Sequence, residues 1–298
     1  MRIRLLAILT PFALALASPA GAFALNINEN YKPQNEFKLD PWINLPGPFD
    51  INKAVFYVLV ATTLTCLTMV LVARKMQQRP NRLQTAVETA YALMRDNITK
   101  GNMDSRMAAK WFPFIATVFL FIWFSNIIGY LPLPTNTEHK FTLFGLQIPS
   151  FALYAATANI SVPLVLTLMV WISYHVEGIR AKGLIGYLKG WIPAGVEGPA
   201  RIPIFFIEAI SQFVRLVSLS VRLFANILAG HLLILFMGGG LVVLLNLAVV
   251  GSLVLGLITA GLAVAFFLFE VGLVATLQAF IFSTLTAIYL GGAVAEEH

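Results

Sequence analysis

The chain has 298 residues, 58% of them hydrophobic and 11% charged, with a mean hydropathy of +0.81. A soluble domain carries about 25% charged residues, so the polar surface here is too small to cover a water-facing globule. That excludes an ordinary cytosolic enzyme, a disordered chain and a nucleic-acid binder, and leaves a polytopic α-helical membrane protein. Thirteen of the 20 Lys and Arg lie before residue 111, most of them flanking apolar runs. The net charge of +6 therefore encodes membrane topology rather than a phosphate-binding patch. The one cysteine, Cys66, sits inside an apolar run, forms no internal disulfide and fits no metal-ligand spacing.

Residues 1–24 have the form of a signal peptide: basic Arg2 and Arg4, an apolar stretch from Leu5 to Ala17, and the sites Ala20-Gly21-Ala22 and Ala22-Phe23-Ala24. Residues 25–52 are polar, hold Pro33, Pro41, Pro46 and Pro48, and are expected to form an extended arm outside the membrane. From 53 to 298 the chain is one transmembrane domain. The first span covers about 54–73, twenty uncharged residues or about 30 Å of helix. Arg74, Lys75, Arg79 and Arg82 follow it, which places that end in the cytoplasm and the N-terminus outside. Over 81–100, Leu83, Val87, Tyr91, Met94 and Ile98 recur at three- and four-residue spacings, which predicts an amphipathic helix on the membrane surface ending near Gly101.

The second span is expected over 111–131. A short outer loop over 132–150 and a third span over 151–174 come next. The loop at 175–202 carries Arg180, Lys182, Lys189 and Arg201 and is expected to be cytoplasmic. From Pro203 to residue 292 only Glu208, Arg215, Arg222 and Glu270 are charged. A fourth span fits 203–240 and a fifth element 245–292. Residues 247–292 alone would measure roughly 69 Å as a helix, and hydropathy leaves open two spans or one steeply tilted helix. With five passes and the N-terminus outside, the C-terminus is cytoplasmic.

Charge inside a bilayer is costly; insertion scales place an arginine at a helix centre near +3 kcal/mol. Arg222 has apolar sequence on both sides and no acid nearby in sequence. At about 100° per residue, Glu208, Arg215, Ser218 and Asn226 fall within about 40° of Arg222. His231, nine residues on, faces about 180° away. Two separate polar faces suggest two contacts, a sliding partner surface and an internal aqueous path. His231 and Glu270 suit a proton relay on neighbouring helices; Gln278 can hydrogen-bond without titrating. Glu208 and Arg215 could also simply pair at the cytoplasmic interface. The chain has no G-x-x-x-x-G-K-[ST] loop, no metal cluster and no Ser/His/Asp set, so neither a nucleotide site nor a cofactor is expected on it.

Ser218–His231, SLSVRLFANILAGH, resembles the signature helix of subunit a of F-type ATP synthases, and Thr276–Leu290, TLQAFIFSTLTAIYL, resembles that family's last helix. The match is specific over about 200–292 and looser over 53–200. The resemblance implies a stator subunit that conducts protons through two half-channels against a rotating ring of c subunits, with peripheral-stalk b subunits and, indirectly, the soluble head as further partners. It implies that Arg222 faces the ring carboxylates and that Gln278 lies beside it. His231, Glu270 and Asn226 would serve the outer half-channel or rotor face, and Glu208 the inner one. The last two helices would form a long tilted hairpin against the ring; the signal-like start favours a bacterial inner membrane over an organelle. One spacing departs from the family: Glu270 precedes Gln278 by eight residues instead of seven, about 80° instead of 340°. A π-turn near Gly272, absorbing one residue, would restore the common face. The competing class is a stand-alone secondary transporter or channel, which also places charges at the midplane but more often shows paired repeats.

Overall fold

The computed structural model describes residues 37–43, 50–75, 82–143, 146–193, 196, 198–245 and 249–295. The expected signal peptide over 1–24 and most of the arm lie outside the described residues. Among those residues, five helical runs are long and apolar enough to cross a membrane: Lys53–Leu71, Ser105–Gly129, Ser161–Lys189, Gly198–Val243 and Gly251–Val294. The all-α, multi-pass class expected from hydropathy is the observed one.

The chain divides into two units, Glu36–His231 with Leu268–His298, and Met1–Asn35 with Leu232–Phe267. In the larger, a short antiparallel pair, β1 (Pro41–Ile43) and β2 (Ile51–Asn52), leads into α1 (Lys53–Lys75). The Asn52 side chain accepts from the Val55 amide at 3.1 Å, satisfying one of the orphan donors of the first turn. The helix expected over 81–100 is α2 (Arg82–Ala92), continued as a π-helical segment over Leu93–Thr99. Its apolar stripe ends in Met94 and Ile98, both buried, while Asp96 and Lys100 form an exposed ion pair at 2.9 Å. That ammonium holds the Asp96 carboxyl below its ordinary range.

The second membrane helix, α3 (Ser105–Gly129), starts six residues before the expected 111. Arg106 and Lys110 disguise its first turns. Asp104 caps it, accepting from the Arg106 and Met107 amides at 3.3 Å each. The expected outer loop is instead a β-hairpin, β3 (Leu133–Leu143) and β4 (Leu146–Ala152), with Phe141 opposite Ile148. The third membrane helix, α4 (Ser161–Lys189), begins ten residues later than the expected 151. Phe151 and Ala152 belong to β4, and Ala155 and Ala156 are buried against protein, so their apolarity does not mark lipid. The helix also runs through much of the expected cytoplasmic loop. Gly183 interrupts it in a left-handed conformation (φ 72°) that suits glycine. Lys110 pairs with Glu177 between α3 and α4, and Lys182 donates to the Ala295 carbonyl at 2.6 Å.

The fourth run is α5 (Arg201–Leu235), then a π-helical segment over Phe236–Gly240 and the short α6 (Leu241–Leu245). The fifth is α7 (Val249–Phe269), a π-turn over Glu270–Val274, and α8 (Ala275–Val294). Hydropathy left open one or two spans here; helix is continuous from Val249 to Val294. The core of the larger unit gathers Ile98, Ile115, Ile122, Leu223, Ile227, Phe282 and Leu290. In the smaller unit, α7 packs closely enough that a Cβ at Gly256 would lie 3.7 Å from the Val242 side chain. Its Leu253, Leu257, Ile258 and Val264 are exposed. A helix apolar all round requires lipid or another helix as its surroundings.

Candidate functional site

The faces of α5 separate cleanly. Leu219, Leu223, Ile227, Gly230, His231 and Ile234 are buried; Ser218, Arg222, Ala225, Asn226 and Ala229 are exposed. Arg222 and His231 thus point opposite ways, as the 100° rule requires. Among the described residues, no acid pairs with Arg222 and no hydrogen bond reaches it. Its exposed neighbours are small or uncharged, which allows another helix to approach closely.

Glu208 and Arg215 do pair: Nη2 of Arg215 donates to Oε1 of Glu208 at 2.9 Å. Gln212 Nε2 donates to the same oxygen at 2.7 Å, and Tyr174 OH donates to Gln212 Oε1 at 2.8 Å. The Arg215 guanidinium lies 5.7 Å from the Tyr289 ring centre. Nearby, His175 Nδ1 and Tyr187 OH are 2.6 Å apart. Of the stripe expected around Arg222, then, Glu208 and Arg215 are engaged with each other, while Ser218 and Asn226 share its exposed face. The Thr167 and Ser283 hydroxyls are buried and have no partner among the described residues. Such groups ordinarily mark water.

On the buried face of α5, His231 is 1% exposed. Its Nδ1 faces the Ile227 carbonyl at 2.9 Å and its Nε2 the Gly129 carbonyl at 3.0 Å. A neutral imidazole donates to one of these, an imidazolium to both, so the ring is seated to hold or release a proton. The Tyr130 ring stacks on it, with centroids 4.5 Å apart at 28°. Tyr130 OH donates to Oε2 of Glu270 at 3.0 Å. Sequence reasoning brought His231 and Glu270 together, and the structure does so through Tyr130.

The π-turn expected near Gly272 is present over Glu270–Val274, with the Ala275 amide donating to the Glu270 carbonyl five residues back. It absorbs the extra residue, and Glu270 and Gln278 are both buried. Two contacts show that α5 and the last run are antiparallel: Tyr289 lies at Arg215, and Glu270 at Gly230. Interpolation puts Gln278 roughly level with Arg222. Gln278 faces the core instead of the exposed side, and no hydrogen bond joins the two among the described residues.

Asn126 and Tyr130 carried no charge to draw attention, yet both hold the π-turn region. Asn126 Nδ2 donates to the Ala275 carbonyl at 3.3 Å, and its Oδ1 accepts from the Thr157 hydroxyl at 2.7 Å. Gly230 is the third missed residue. A Cβ there would lie 2.5 Å from the Glu270 carboxyl carbon and Oε2. The carboxyl is the free end of a flexible side chain, so Gly230→Ala displaces it at little cost in stability but breaks the Tyr130 bond. We expect any activity that depends on the Glu270 carboxyl to fall about tenfold, the worth of one hydrogen bond to a charged group, with the protein still folded; an unchanged rate would mean that Glu270 does not need this position.

Comparison with known proteins follows the same residues. A family model, ATP synthase A chain, matches residues 55–291. The chain is 35% identical over 242 residues to ATP synthase subunit a of Rubrobacter xylanophilus, covering 80% of this chain and 83% of that protein. It is 35% identical over 297 residues to ATP synthase subunit a of Pseudarthrobacter chlorophenolicus, covering 96% and 100%. Against ATP synthase subunit a of Maricaulis maris, identity is 34% over 251 residues, covering 83% and 89%.

Proposed function

This chain belongs to the ATP synthase A chain family, and from that membership we propose that it is the proton-conducting stator of the enzyme's membrane sector, with Arg222 facing the rotor. The observation that carries the reading is Arg222 itself. It is an exposed cation in an apolar helix, with no acid partner among the described residues. A counter-charge supplied by another molecule would complete it, and a carboxylate on a ring of c subunits has the required chemistry.

Two polar clusters flank Arg222 along α5. His231, with Tyr130 and Glu270, lies about 14 Å toward one end, and Glu208, with Gln212 and Arg215, about 21 Å toward the other. They serve as two offset half-channels. A proton entering through Glu270 and His231 protonates a ring carboxylate, and the neutral carboxyl then turns into lipid. After nearly a full turn it gives its proton to water at the Glu208 cluster, and the bared carboxylate is met by Arg222. The guanidinium stabilises that anion in a dry setting and bars protons from crossing directly between clusters. Asn226 lies on the rotor face beside Arg222, Gln278 lies roughly level with Arg222 on the buried side, and Ser218 lets the ring helix close in. ATP chemistry resides on the soluble head, joined to this chain through peripheral-stalk b subunits. The N-terminus is outside, the C-terminus cytoplasmic and the setting a bacterial inner membrane.

Cross-linking tests this directly. Exposed Cys66 is first replaced by Ser. Ser218→Cys and Ala225→Cys should then form disulfides with single cysteines placed along the ring-facing helix of subunit c. Leu59→Cys, exposed on α1, should not. Failure of both α5 positions to cross-link in a complex that co-purifies with its ring would remove α5 from the rotor surface.

A further inference from the structure

Tyr130 carries an inference that rests on the half-channel reading above. It follows the last turn of α3, is 1% exposed, and touches both titratable members of the outer cluster. His231 turns its two nitrogens to backbone carbonyls of Ile227 and Gly129. It does not hydrogen-bond Glu270 among the described residues. Glu270 receives its hydrogen bond there from Tyr130 alone. The other titratable groups nearby on α1 are engaged elsewhere: Lys53 lies over the Tyr154 ring at 5.1 Å, and Tyr57 OH is 3.5 Å from Thr135 Oγ1.

We propose that Tyr130 is the positioning residue of the outer proton path, its hydroxyl holding Oε2 of Glu270 while its ring sets the plane of His231. The division of labour follows from the hydrogen-bond inventory. An ionised carboxyl accepts on both oxygens, and a protonated one still accepts on the oxygen without the proton. With Oε2 held by the phenol, the proton arrives at and leaves from Oε1. The Tyr130 bond therefore survives both states, and the carboxyl does not swing away between transfers. The stack does the same for His231, whose ring could otherwise rotate out of line with the Gly129 carbonyl.

Tyr130→Phe removes the hydroxyl and keeps the ring, so stack and packing persist. In the whole complex in membrane vesicles, proton-driven ATP synthesis should fall about tenfold, with the same amount of complex assembled. Tyr130→3-fluorotyrosine, which restores a hydroxyl of altered acidity, should recover most of the rate; a role confined to packing would show no such hydroxyl-dependent recovery. Glu270→Gln is measured in parallel and should fall by at least the same factor. A wild-type rate for Tyr130→Phe beside a depressed Glu270→Gln overturns the role of Tyr130 and leaves the half-channel standing. Wild-type rates for both overturn the half-channel reading and this inference with it. A Tyr130→Phe complex that fails to assemble, or a loss that 3-fluorotyrosine does not restore, makes Tyr130 a packing residue and also overturns the proposal.

Discussion

Replacing Arg222 with Ala should lower proton-driven ATP synthesis on the order of 10³-fold in complexes that still assemble. Two unit charges about 4 Å apart attract by about 4 kcal/mol at an effective dielectric constant of 20. Each 1.36 kcal/mol is worth a factor of ten in rate. On the proposed reading, loss of the guanidinium leaves the ring carboxylate with no reason to ionise opposite α5, and the ring would stall. Arg222→Lys keeps the charge but replaces a planar, weakly hydrated fork with a compact, strongly hydrated ammonium. It should retain part of the rate, roughly a tenth of wild type. Synthesis in vesicles, with subunit c quantified in the same preparation, measures both. Near-normal synthesis in Arg222→Ala would show that the exposed cation answers to no rotor charge and would overturn its proposed role.

The π-turn makes an unusual demand of insertion and deletion. Deleting Gly272 should be tolerated, with more than about half the proton flow retained, because a regular helix then spaces Glu270 seven residues before Gln278 and keeps both on one face. Inserting one Ala after Gly272 should cut flow at least about 100-fold. The single π-turn already holds the extra residue, and a second would carry Glu270 some 100° away from Tyr130 and Gly230. ATP-driven acidification of vesicles reports the two side by side. The reverse ranking would mean that Glu270 works from its place in sequence and not from the face it shares with Gln278.

The reach of sequence reasoning follows from what lipid demands. A bilayer requires about 20 apolar residues for each crossing, so hydropathy located five runs. It could not distinguish residues apolar because they face lipid from residues apolar because they face protein. Ala155 and Ala156, buried against α1 and α3, therefore drew the expected start of the third span ten residues too early. The β3–β4 hairpin was hidden by Pro132, Pro134 and Pro149, which ordinarily argue against strands. In the site, angle arithmetic was enough to set Arg222 and His231 on opposite faces. Set against the seven-residue spacing that the family resemblance implies, the eight residues from Glu270 to Gln278 gave the expectation of a π-turn. Tyr130 and Asn126 stayed invisible because their partners sit about 140 and 149 residues away, and no periodicity in one helix reveals a contact made across two.

The buried back of α5 has a mechanical consequence. On the proposed reading, each proton crossing 100 mV delivers about 2.3 kcal/mol, and a stator must return an equal and opposite push or be dragged along with its rotor. That reaction force enters the chain at Arg222. Directly behind it, Leu219, Leu223 and Ile227 are wedged against side chains of α3 and α8, in an interior that compresses very little. The thrust is thereby handed sideways to both neighbouring helices at once. Loosening this wedge should cost coupling efficiency before it costs proton flow: the motor would slip while its channels stayed open.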